Sequence, residues 1–83
     1  MDQVAPLASF TVPWGGQQIE LREMGFDAGG SRLLRVHIRE GRRFTVFDID
    51  AHTARNWGAA MRDWAARELA REQPAAGRGG EGA

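Results

Sequence analysis

Hydrophobic and polar positions alternate most regularly just before the middle of the chain. Leu34, Val36 and Ile38 are interleaved with Arg35, His37 and Arg39. A period of two sends these sets to opposite faces of a β-strand. A second run, Phe44, Thr45, Val46, Phe47 and Ile49, is β-branched or aromatic throughout, which suits a pleated, half-buried surface. Gly41 lies between the runs and supplies the freedom for positive φ that a tight turn needs. Residues 32–50 therefore predict a β-hairpin.

Its register is open at the level of sequence. A two-residue Glu40-Gly41 turn pairs His37 with Phe44. That puts Phe44 and Val46 on the face of Arg35, His37 and Arg39, and gives Phe47 and Ile49 to Leu34, Val36 and Ile38. A three-residue loop shifts the pairing by one and exchanges the roles. The first arrangement makes an arginine-and-aromatic surface, the second an ordinary polar outer face.

Upstream, residues 7–12 predict a first strand with Ala8, Phe10 and Val12 on one face. Pro13 ends it, because proline cannot donate to a central ladder. Pro13-Trp14-Gly15-Gly16 is a turn signal. Residues 17–26 predict a second strand. Ile19 and Leu21 share one face and Met24 and Phe26 the other, so a bulge near Glu23, with Gly25 beside it, is expected to reunite them. Asp27-Ala28-Gly29-Gly30-Ser31 then connects strand to strand. A phosphate-cradling glycine loop opens onto a helix, so this one reads as a hairpin turn.

Downstream the period changes. Ala54, Trp57, Gly58, Met61, Trp64, Ala65 and Leu69 recur at helical spacing and form one broad apolar stripe. Asp50 is a good N-cap, able to accept from the amides of His52 or Thr53. Gly58 costs roughly 1 kcal/mol against alanine in mid-helix, and a close approach of helix to sheet would explain it. Pro74 stops the helix. The fold class is thus α+β: a four-stranded antiparallel meander packed on one C-terminal helix in two layers. Residues 7–72 make this single domain. Residues 1–6 are expected to be flexible, and residues 73–83, AAGRGGEGA preceded by Gln73 and Pro74, to be disordered.

Composition narrows the function classes. A chain of 83 residues holds one small domain whose core is marginal alone, which favours a homodimer. There is no cysteine, hence no disulfide, thiolate zinc site or cysteine nucleophile. The first residues lack the basic and apolar regions of a secretion signal, and no apolar run approaches a membrane span. A cytoplasmic, bacterial protein is expected, with no membrane attachment. All 11 basic residues are arginine and balance 11 acids. A neutral chain argues against a general polyanion binder. The balance is uneven, however. Residues 32–49 hold five arginines against two acids, while residues 1–31 hold one against four.

Candidate chemistry is correspondingly sparse. Ser9 and Ser31, the two serines, sit in no nucleophile motif. Asp48, Asp50 and His52 form an Asp-x-Asp-x-His run, but a capping Asp50 accounts for it more simply than a metal does. No catalytic, cofactor-binding or metal-ligating residue is assigned. The basic hairpin is the candidate binding surface: Arg35, His37, Arg39, Arg42, Arg43 and Phe44. Trp14 joins it as the tryptophan expected to be exposed and able to anchor an interface, whereas Trp57 and Trp64 are expected in the core.

The order of elements resembles the single-stranded-DNA-binding transcriptional coactivator and whirly families. The likeness rests on residues 33–43 as an arginine-bearing hairpin and residues 49–64 as a strand running into a Trp-bearing helix. It implies dimers that hold nucleic acid on the sheet. The lysines of those families are missing here, and the tryptophan is not at the usual distance from the helix start. The layout also looks like small accessory proteins of bacterial multicomponent oxygenases. The sequence reading is a non-enzymatic accessory or regulatory protein that binds a larger protein partner through its sheet and hairpin. The alternative is single-stranded nucleic-acid binding by the arginine-rich face.

Overall fold

A computed structural model describes residues 3–26 and 29–72. Four strands, β1 (Gln3–Thr11), β2 (Gln18–Gly25), β3 (Leu33–Glu40) and β4 (Arg43–Ile49), precede one helix, α1 (Ala51–Glu72). The strands form a single antiparallel sheet in the order β1-β2-β3-β4. The α+β meander-plus-helix architecture expected from the pattern is the one present.

The strands differ from expectation in three places. β1 begins at Gln3, so Gln3, Val4, Ala5 and Pro6 are strand residues paired with β2 rather than a loose lead. Pro6 is tolerated because β1 is an edge strand. Second, the irregularity falls in β1, between Pro6 and Ala8, and not near Glu23. β2 pairs with β3 without a break from Gln18 to Met24. Leu7 is the extra residue, and Met24 stays on the face opposite Ile19 and Leu21. There its cross-strand partners are Val4 and Leu33, and it is 7% exposed.

Third, the β3–β4 turn is at Gly41-Arg42, with Glu40 opposite Arg43 and Arg39 opposite Phe44. Gly41 has φ +62° and no described non-glycine residue has positive φ. Glycine with positive φ at the first central position marks a type II′ turn. The pairing is two residues away from that of a Glu40-Gly41 turn. A shift of two preserves the faces, so Phe44 and Val46 stand with Arg35, His37 and Arg39.

The other face carries Ile19, Leu21, Leu34, Val36, Ile38 and Ile49, and α1 crosses it. Ala54, Trp57, Gly58 and Met61 look onto that face across an apolar groove of about 450 Å³. The contact is loose. Val36, under the helix, is 2% exposed, and with Met24 it is the only buried hydrophobic among the described residues. Gly58 marks no close approach, since a Cβ built there meets nothing within 4 Å. Nor is Trp64 a core residue: it is 60% exposed. Trp57 is not a core residue either: it is 41% exposed, with its ring beside that of Phe47, centroids 6.0 Å apart. The tail proposed as disordered, 73–83, lies outside the described residues.

Candidate binding surface at the hairpin end of the sheet

The register gathers two turns at one end of the sheet. Gln18 is opposite Arg39, so the β1–β2 turn and the β3–β4 turn are neighbours. Gln17 Nε2 donates to Glu40 Oε2 at 3.3 Å across them. The first turn is held by the Val12 amide donating to the Gln17 carbonyl (2.8 Å) and the Gly16 amide to the Val12 carbonyl (2.7 Å). Gly16 takes φ +72° there, a conformation glycine adopts at no steric cost. The turn projects Trp14 into solvent, 97% exposed, as expected for an anchor residue.

Beside it, the helix-free face of the sheet forms a shallow depression of about 370 Å³ between β1 and β4. Ser9, Thr11, Gln18, His37, Arg39 and Phe44 line it. His37 and Phe44 lie diagonally across β3 and β4, ring centroids 5.4 Å apart and tilted by 54°. Phe44 remains 57% exposed. Cross-strand diagonals are within reach of rings, so this contact follows from the register.

The arginines divide into two groups. Arg35 forms a two-point fork with Asp48, Nε to Oδ1 at 2.8 Å and Nη2 to Oδ2 at 3.0 Å. Hydrogen bonding to Arg35 first, then its charge, holds the Asp48 carboxyl below its ordinary range. Arg22 is engaged by Glu20 on the same face. Arg39, Arg42 and Arg43 have no ion pair among the described residues. Of the predicted surface, the structure therefore brings together Trp14, His37, Arg39, Arg42 and Phe44 around the turn end. Arg43 lies at that end on the helix-side face, opposite Glu40. Arg35 stands apart, its charge answered.

The Asp-x-Asp-x-His run has other employment. Asp48 is on Arg35, and Asp50 caps α1. The amides of His52 (3.1 Å) and Thr53 (3.4 Å) donate to Asp50 Oδ2, and the Thr53 hydroxyl donates to Oδ1 at 2.5 Å. These bonds, the Thr53 hydroxyl foremost, lower the Asp50 carboxyl from its ordinary value.

Residues 1–67 match a family model described as a family of unknown function (DUF6967). The chain belongs to that family. The match covers the whole sheet and the first four turns of the helix, so both turns and Trp14 lie within it. No curated protein and no solved structure matches the chain. Among the described residues no helix is long and apolar enough to cross a membrane. Sequence reasoning missed the part played by the β1–β2 turn as a neighbour of the hairpin tip. A four-strand meander places alternate turns at the same end, so that signal was present in the topology.

Proposed function

We propose that the protein is a non-enzymatic, cytoplasmic accessory or regulatory module that grips a larger protein partner with the turn end of its sheet. The observation that carries this reading is a fully projecting Trp14 at the same end of the sheet as arginines that have no acidic partner among the described residues. Tryptophan and arginine are the side chains that most often dominate protein interfaces. Phe44 and His37 extend the apolar part of the contact, and Arg39 and Arg42 supply forks for carboxylates.

Single-stranded nucleic acid is the competing occupant, in keeping with the resemblance to the coactivator and whirly type. Two features weigh against it. Arg35 and Arg22 are matched by Asp48 and Glu20 on the very face that would carry phosphates. The chain as a whole is neutral, and phosphate binding draws on uncompensated cations.

The test compares wild-type protein with Trp14→Ala and with Arg39→Ala/Arg42→Ala as baits in quantitative affinity purification. Each protein retained by wild type is then purified and titrated alone. A partner whose direct affinity drops at least about 10-fold in both variants supports the reading, that being the loss from one interface anchor. Equal retention by all three baits contradicts it. Salt-sensitive binding of labelled single-stranded DNA or RNA, measured by fluorescence anisotropy, would replace it with the nucleic-acid reading.

A further inference from the structure

The meander leaves two sheet edges, and they are not alike. β1 carries Pro6, which has no amide hydrogen, and an extra residue at Leu7. Both are devices that discourage edge pairing. β4 has neither. Its sequence is Arg43-Phe44-Thr45-Val46-Phe47-Asp48-Ile49, and it pairs with β3 without a break. A regular, apolar, uncovered edge recruits another strand unless something occupies it.

The turn fixes which backbone groups are free. Glu40 and Arg43 close the two-residue loop as a hydrogen-bonded pair. Alternation along the ladder then turns Thr45 and Phe47 toward β3, and turns the amides and carbonyls of Phe44, Val46 and Asp48 outward. On the helix side, the same edge is flanked by aromatic residues. Trp57 stacks near Phe47, and Trp64, two helical turns on, lies on the same shoulder of α1. Phe47, Trp57 and Trp64 are all substantially exposed, as are Phe44 and Val46 on the other face.

We infer that β4 is the seam of a two-fold homodimer, independently of the partner read for the turn end. Antiparallel pairing about Val46 sets Val46 against its own copy and Phe44 against the partner's Asp48. Both pairs use the outward groups, giving about six backbone hydrogen bonds. The register keeps the faces matched, so both helices lie on one side of an eight-stranded sheet. No like charges meet across it, because Arg43 falls opposite the partner's Ile49, and Asp48 is already held by Arg35.

The helix layer fits the same symmetry. α1 lies over β3 rather than β4. The two β3 strands would be three strand spacings apart, about 14 Å, a few Å more than bare helix contact at 8–10 Å. That gap suits two antiparallel helices with Trp57 of each beside Trp64 of the other. A second copy is the occupant because one chain carries the edge, the aromatic shoulder and the spacing that an isologous interface requires.

Sedimentation equilibrium, with light scattering as a check, tests the inference on the full chain. Wild type should reach twice the 9.2 kDa chain mass. Val46→Pro removes an outward amide without touching the β3 ladder, and should weaken association at least about 100-fold. Val46→Lys sets two cations against each other across the axis and should also give monomers. Val4→Lys, on the β1 edge, should remain dimeric. Circular dichroism establishes that each variant is folded. A monomeric wild type overturns the seam. So does a folded Val46→Lys that still dimerises, or a Val4→Lys that does not.

Discussion

Asp48 and Asp50 are two residues apart in the sequence but serve different elements. Asp50 starts the helix, and Asp48 locks Arg35 across the hairpin. Both are held below their ordinary range in the folded chain. Stabilisation from such a group is present above the unfolded value, and is lost as pH falls through the folded one. Thermal stability should therefore decline as pH drops below about 4. Asp50→Asn keeps a good capping acceptor but removes one titrating group. Its melting temperature should match wild type near neutrality and fall less steeply in acid; equal slopes would show that the ionised cap contributes nothing. The cap was legible from sequence, because Asp before an alanine-rich helical stripe has few other uses. The fork was not. It needs Arg35 opposite Asp48, a pairing that exists only once the register is known.

Elements were legible to the extent that their pattern was local. Four strands and one helix follow from alternation, turn residues and a cap. The side taken by Phe44 does not, because a two-residue and a three-residue loop give opposite faces and only the register decides between them. The turn itself falls at Gly41-Arg42, where glycine at the first central position makes type II′ geometry available. The bulge was misplaced. Sequence offered one way to bring Met24 back to the Ile19 face, whereas the chain leaves it between Val4 and Leu33 on the far side. Gly58 is the sharper lesson. Its position in the stripe suggested close packing, yet the space beside it is open. Gly58→Ala should then stabilise the protein by roughly 0.5–1 kcal/mol, the difference in helix propensity. Chemical denaturation reads this directly, and a loss of stability would restore the close-approach explanation.

At the scale of the whole molecule, burial is the deciding quantity. Two buried apolar residues among the described residues, against exposed Phe10, Phe44, Trp14, Trp57, Met61, Trp64 and Leu69, make little core for a chain of this length. Small domains short of core gain stability by association. Sequence could say that the core was marginal, and that a homodimer was a way out. It could not say where, since the answer rests on the contrast between a blocked β1 edge and an open β4 edge. The two surfaces meet at Phe44 but use different groups: the turn end offers the side chains of Trp14, Arg39 and Arg42 to another protein, and the β4 seam offers outward backbone groups to a second copy. Amide hydrogen exchange followed residue by residue tests the seam most directly. In concentrated protein the amides of Phe44, Val46 and Asp48 should be protected along with those of Thr45 and Phe47, and should lose that protection on dilution. An edge that never pairs would leave Val46 exchanging rapidly at every concentration while Thr45 and Phe47 stayed slow.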